Sequence, residues 1–282
     1  MSAGHVGRRP VHDRERRGFG YEWGMVVDEE MQDEFGTMAA WTWEAVTGLG
    51  HDHAIPAACR GSGRPSGLDW LLARLGPAPG DPLLDVGAGL GGPAAYARSR
   101  TGVRPVCLEP MGQAAAAAAR LFSLPALVAE GARLPLPAES FGFAWSLGTL
   151  CTTDEKAAWL AELRRVLRPG ARLGLLVVLA THESFRVPWG NAFPNGDELA
   201  GLLAAAGFTV VDEAWTDDLP APDDEWQRLE DEVDAAVERA HGHDQRHATV
   251  KEHERRMGDL VESGRVRGRL LVARAADSRS TR

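Results

Sequence analysis

Lysine is nearly absent: Lys156 and Lys251 are the only two in 282 residues, and arginine supplies the rest of the positive charge. With 31 basic against 40 acidic side chains the formal charge is −9, which argues against a polyanion as the main partner, since nucleic-acid binders usually show a basic footprint. The arginine- and alanine-rich balance reads as the coding bias of a GC-rich, bacterial genome. Cysteine is scarce too. Cys59, Cys107 and Cys151 form neither a CxxC pair nor a zinc spacing, so we expect reduced thiols in a cytoplasmic protein. Long apolar runs are missing. Leu173 to Ala180 is the longest, far short of a bilayer span, and residues 1–17 are polar and arginine-rich with no apolar signal core. No membrane partner is expected, and no internal repeat is visible.

What is present is an α/β alternation beginning at Pro82. Strands are expected at 83–86, 105–109, 126–128, 141–147, 172–179, 208–211 and 269–273. Helices are expected at 92–100, after 109 through six consecutive alanines (Ala114 to Ala119), at 154–167 before Pro169-Gly170, from Asn195 or Asp197 to Gly207, at 223–241 and at 248–262. Upstream, Phe19 to Gly50 is dense in aromatics, and 29–46 reads as a helix with Met31, Phe35, Met38 and Trp41 or Thr42 near one face. Residues 51–67 read as a loop, and 67–76 as a short amphipathic helix.

Within this pattern, Leu83-Leu84-Asp85-Val86 runs straight into Gly87-Ala88-Gly89-Leu90-Gly91-Gly92 and then a helix-favouring run. Glycine lets such a turn take positive φ and approach a ligand closely. The helix that follows aims free N–H groups and a partial positive charge at the same place. The Gly87-x-Gly89-x-x-Gly92 spacing by itself also satisfies the dinucleotide fingerprint. Asp85 changes the balance, because an acid there suits a ligand with positive charge or hydrogen-bond donors near the loop.

Leu84 to Gly92 resembles the first motif of class I S-adenosylmethionine (SAM)-dependent methyltransferases, and three later stretches resemble further motifs in the same order. The resemblance covers about residues 82–180 and is greatest to the small-molecule branch. It implies an α/β, Rossmann-like, doubly wound seven-stranded sheet, mostly parallel with the last strand antiparallel, carrying an N-terminal helical and aromatic cap. It divides the chain into a mobile tail (1–18), the cap (19–67), a SAM-binding domain (68–275) and a frayed tail (276–282). Within the domain, 181–195 and 220–264 are a substrate-side connection and a helical insertion.

By the same resemblance SAM, leaving as S-adenosylhomocysteine, is held by Asp85, Gly87, Ala88 and Gly89. Glu109 would grip the ribose hydroxyls, with Pro110 and Met111 near the adenine. Glu130, where the family more often has aspartate, would accept from the adenine amine, beside Gly131 and Ala132. Ser146 and Leu147 would offer backbone contacts. Gly142 stands where the family has aspartate, a mostly structural departure. Tyr21, Trp23, Phe185 and Trp189 are candidates to line the substrate pocket.

No catalytic residue is assigned from the sequence. His182, Glu183, His51 and His53 are candidate general bases, needed only if the acceptor must lose a proton. His241, His243, His247 and His253 match no metal spacing, and no metal is expected. The chemistry expected is methyl transfer to an O, N or C atom of a small molecule, a bacterial metabolite or natural product, with a homodimer left open. Three alternatives stay open: a SAM-binding enzyme of the same fold catalysing decarboxylation or cyclisation, an NAD-dependent oxidoreductase, and a macromolecule methyltransferase.

Overall fold

The computed structural model describes residues 29–182 and 191–277, with side chains from residue 35 onward. Among the described residues the strands form one seven-stranded sheet in the order β3-β2-β1-β4-β5-β7-β6. They are β1 (Pro82–Val86), β2 (Arg104–Glu109), β3 (Ala126–Val128), β4 (Phe141–Leu147), β5 (Leu167–Ala180), β6 (Phe208–Trp215) and β7 (Val266–Ala275). β7 runs antiparallel to both neighbours, and the other pairs are parallel. The doubly wound sheet with its reversed last strand is therefore as the sequence implies.

The order places a topological switch between β1 and β4. The chain winds outward from β1 through β2 to β3, then returns to build β4 and β5 on the other side. Crossovers depart in opposite directions there and leave a crevice at the carboxyl ends of the strands, where open α/β sheets bind ligands. Leu83, Leu84, Asp85 and Val86 are all buried, as a central parallel strand covered on both faces requires.

Helices α4 (Gly92–Thr101) and α5 (Gly112–Phe122) are the crossovers that carry the chain outward from β1 to β2 and from β2 to β3. Four of the six consecutive alanines, Ala114, Ala115, Ala117 and Ala118, are buried, and their small side chains let neighbouring backbone come close. α6 (Lys156–Val166) covers the opposite face with Trp159, Leu160, Leu163 and Val166. α7 (Gly196–Ala205) starts at Asn195, whose side chain caps the Glu198 N–H at 2.9 Å.

Several boundaries differ from the sequence expectation. Residues 51–67 are not a loop: a 3-10 turn (His51–His53) leads into α2 (Ala54–Ala58), and α3 (Pro65–Leu75) starts with proline in its first turn. Ala54, Pro56, Ala57 and Ala58 are buried, so packing rather than local propensity makes this helix. β5 starts at Leu167, before Pro169-Gly170, and those two residues lie in the irregularity between the pairs Phe141–Leu167 and Phe143–Arg172. β6 continues to Trp215 because β7 pairs it on both sides of an irregularity at Val211, although Asp212 and Glu213 on this edge strand are exposed. In α1 (Glu29–Leu49), Phe35 faces outward at 43 % exposure while Ala39, Trp41, Thr42 and Val46 are buried, because the helix packs on both α5 and the later insertion.

That insertion is α8 (Asp224–His241) and α9 (Gln245–Glu262). Val233 and Val237 of α8 share one apolar cluster with Trp41, Ala57 and Ala94. The cap–domain boundary drawn at residue 67 falls inside α3. No described helix is long and apolar enough to cross a membrane.

Candidate functional site

The crevice begins where β1 stops. Gly87 turns with φ 78°, and its N–H and that of Ala88 both donate to the Leu108 carbonyl of β2, at 2.8 and 3.1 Å. A Cβ on Gly87 would run into Thr149 Cγ2, and one on Gly92 into the α2 backbone at Ala58. A Cβ on Gly91 would come within 2.9 Å of Ala118 Cβ. Gly89 is different: its φ is 54°, and a Cβ there would meet nothing within 4 Å. Three glycines are thus demanded by packing, and Gly89 faces open space.

Asp85 sits beneath this loop, 1 % exposed, level with Cys107 of β2 and Trp145 of β4. Burial pushes its carboxyl up to about 7; the indole of Trp145 offsets part of this, and Glu109 adds to it. The indole does not reach a well-formed hydrogen bond, so Asp85 Oδ2 and Trp145 Nε1 are both buried without a partner. A buried carboxylate oxygen in that state is expensive unless something else completes it.

Glu109 ends β2 and is 3 % exposed. Its Oε2 accepts the Gly89 N–H at 2.8 Å and its Oε1 the Met111 N–H at 3.0 Å, so the acid ties the glycine loop to the start of α5. Burial raises its pKa, the two N–H donors oppose that, and Glu130 adds to it. Pro110 and Met111 follow, half-buried at the rim. Across the crevice Glu130 has its pKa raised by burial and then by Glu155, and its Oε1 is buried without a partner. Gly131 lies flat on the Trp159 indole, where a Cβ would enter the ring, and Ala132 is half-buried beside it. The structure therefore brings Asp85, Gly89, Glu109, Met111 and Glu130 together near the carboxyl ends of β1, β2 and β3.

Other expected positions take different parts. Ser146 is fully buried and its hydroxyl is a strut: it donates to Val86 O at 2.8 Å and meets Thr149 Oγ1 and Trp159 Nε1. Leu147 is a core residue at 2 % exposure. His51 lies 6.3 Å, ring to ring, from Phe122 at the end of α5. His53 is bound to Glu232 of α8 at 2.7 Å. His182 is exposed just beyond β5, with Nδ1 2.9 Å from Thr181 Oγ1. Glu183, Phe185, Trp189, Tyr21 and Trp23 lie outside the described residues.

No sequence motif marks Trp145 and Trp159; they are identified, as is the Thr149 side chain, by what they touch across the sheet. Among the described residues no group of histidine, cysteine and acidic side chains could hold a metal. Trp41 instead stacks on His241 at 4.5 Å and 9°, and His247 lies 3.3 Å from Glu238.

Residues 84–175 match the methyltransferase domain family. An O-methyltransferase of Pyrenophora dematioidea is 30% identical over 163 residues, covering 50% of this chain and 59% of that protein. The chain thus spans under two thirds of that relative's length. Four curated relatives, among them O-methyltransferases of Aspergillus and Penicillium, are fungal and lend no support to a bacterial origin. Among solved structures, the (4+2)-cyclase SpnF aligns with TM-score 0.61 and 23% identity over 75% of this chain and 80% of its own. A Haemonchus contortus phosphoethanolamine N-methyltransferase, solved with its phosphobase and S-adenosylhomocysteine, gives TM-score 0.61 and 14% identity over 77% and 54%. At these identities both show the fold alone. The match over residues 84–175 and the sheet order agree with the fold of these structures.

Proposed function

We propose that this protein binds SAM in the crevice and transfers its methyl group to a hydroxyl of a small molecule. The observation that carries this is the pairing of Asp85 with an open glycine turn: a buried carboxylate oxygen lacking a partner, beneath a backbone that leaves room for a ligand. SAM brings an ammonium that would complete Asp85, ribose hydroxyls for the remaining lone pairs of Glu109, and an exocyclic adenine amine for the orphaned Glu130 oxygen. Ala88, Gly131 and Ala132 contribute backbone at the same opening, and Pro110 and Met111 would flank the adenine. A dinucleotide offers no cation at Asp85, which disfavours the oxidoreductase alternative. The hydroxyl acceptor is supported by the O-methyltransferase relatives, and a small-molecule rather than polyanionic partner by the charge of −9. Three buried free thiols support a reducing, cytoplasmic setting.

Bound SAM supplies a methyl group already activated on a sulfonium. The chain's own task is orientation: holding the reactants in line in a water-poor pocket is worth roughly 7–11 kcal/mol. Glu109 contributes by fixing the glycine loop against α5, and Asp85 by anchoring one end of the ligand.

Calorimetric titration with SAM tests the site, and mass spectrometry of products tests the reaction. Asp85→Ala should abolish measurable binding in a folded chain, and Gly87→Val should do the same through Thr149. A variant at Asp85 with wild-type affinity would overturn the assignment. Methyl transfer leaves S-adenosylhomocysteine and an acceptor heavier by one CH₂; an acceptor converted without that gain would point to the non-methylating chemistry instead.

A further inference from the structure

α6 does more than cover the sheet. Along one side, Trp159 lies under Gly131, Glu162 accepts the Leu134 N–H at 2.7 Å, and Arg165 donates to the Leu134 and Leu136 carbonyls, both at 2.8 Å. Residues three apart share a helix side, so this one row holds the stretch that follows β3. Trp159 touches the turn beside Glu130, whose Oε1 is buried without a partner. A Cβ on Gly131 would come within 2.4 Å of three atoms of the indole. The Gly131 backbone lies outside the left-handed region, so the ring and not the main chain excludes a side chain here. We propose that Trp159 is a positioning residue for the nucleobase: its ring face sets the height of the Gly131 turn and so directs the free Glu130 oxygen at the exocyclic amine of adenine. This rests on the SAM reading above.

The indole is itself held in place. Its Nε1–H donates to Ser146 Oγ at 3.2 Å. The Ser146 hydroxyl has one proton, and that proton goes to the Val86 carbonyl at 2.8 Å, at the end of β1. Thr149 Oγ1, the remaining neighbour, must then be a donor. The Ser146 oxygen thus gives one hydrogen bond and accepts two, its full complement. Ser146 and Trp159 are 0 % and 7 % exposed, so turning the indole away would strand its N–H inside the protein, a cost that keeps the ring face where it is. Thr149 in turn sets its methyl against Gly87, where a Cβ would come within 2.1 Å of Cγ2. Direct contacts therefore run from Gly131 through Trp159, Ser146 and Thr149 to Gly87. They join the turn after β3 to the glycine loop after β1.

A flat ring under a residue without a side chain lets the main chain rest directly on it. Hydrogen bonds weaken steeply away from about 2.7–3.2 Å and a near-linear approach, so a turn free to shift would recognise the amine poorly.

The test uses the full chain and three ligands. They are S-adenosylhomocysteine, S-inosylhomocysteine, which carries a carbonyl in place of the amine, and 5′-methylthioadenosine, which lacks the amino-acid end. Calorimetry should find that the wild type prefers the adenosyl to the inosyl ligand by about tenfold or more, the worth of a hydrogen bond to a charged acceptor. Trp159→Leu should remove most of that preference. The preference for S-adenosylhomocysteine over methylthioadenosine reads the Asp85 end and should stay as in the wild type. Trp159→Phe, which keeps a ring face, should restore most of the adenosyl preference. A merely structural tryptophan would move both preferences together or neither. An adenosyl preference intact in Trp159→Leu, lost equally in Trp159→Phe, or lost in step with the other preference refutes the positioning role alone. A wild type that binds the adenosyl and inosyl ligands equally refutes the amine contact and the role with it, while SAM binding stands. A wild type that binds none of the three refutes the SAM reading. Should Trp159→Leu fail to fold, Gly131→Ala lifts the turn off the ring from the other side and should lower the same preference; an unchanged preference there refutes the proposal.

Discussion

Asp85 keeps its proton to about pH 7 in the folded chain, against an ordinary value of 3.8 when exposed. Between those two values the unfolded chain has released a proton that the folded chain retains. Stability should therefore fall as pH rises from about 4 to about 7, by up to roughly 4 kcal/mol from this group, and level off above. Asp85→Asn removes that slope, so urea midpoints at pH 5 and pH 8 should differ less in the variant than in the wild type. SAM affinity should climb over the same window, because the ligand's cation favours the ionised carboxylate; an affinity independent of pH would count against Asp85 as its partner. Glu109→Ala should weaken SAM by on the order of 1–3 kcal/mol, the worth of hydrogen bonds to a buried charged group, read by calorimetry. Gly92→Ala sets a methyl into the α2 backbone and should lower stability by roughly 1–3 kcal/mol, measured by denaturant unfolding. The identity of these residues was legible because β1 and β2 end in acids beside glycines; that Gly92 answers to α2 was not, since its partner lies some thirty residues upstream.

At the scale of elements, the insertion is held by burial more than by charge. Arg60 bridges Asp234 of α8 and Glu254 of α9, but all three side chains are about a third exposed or more, and such pairs contribute at most about 1 kcal/mol. Val233 is fully buried in the cluster shared with Trp41 and Ala57, and removing its two methyl groups loses about 0.8 kcal/mol each in transfer plus a cavity term. Chemical denaturation should accordingly find Val233→Ala more destabilising than Arg60→Ala. Helices with strong local punctuation were readable from the chain: Asn195 and Asp223 each cap the N–H three residues on. α2 was not, because five residues with an internal proline make no helical signal until α4 and α8 bury them.

For the whole molecule, ligation of the crevice proposed above should stabilise the entire domain. At one hundred times its dissociation constant SAM adds about 2.7 kcal/mol, which for a domain of this size raises Tm by roughly 5–10 °C. NADH at the same concentration should leave Tm unchanged. Differential scanning fluorimetry with both ligands separates the two nucleotide alternatives directly.

The sequence by itself determined the strand–helix alternation, the acid-and-glycine turn and the class of ligand that turn suits, because these depend on residues adjacent in the chain. Only the tertiary structure decided which glycines are spoken for by packing, that Ser146 is a strut, and that His53 is held by Glu232 of α8. Those assignments depend on neighbours far apart in sequence, brought together by a sheet whose first strand lies in its interior and whose last two helices fold back over α1.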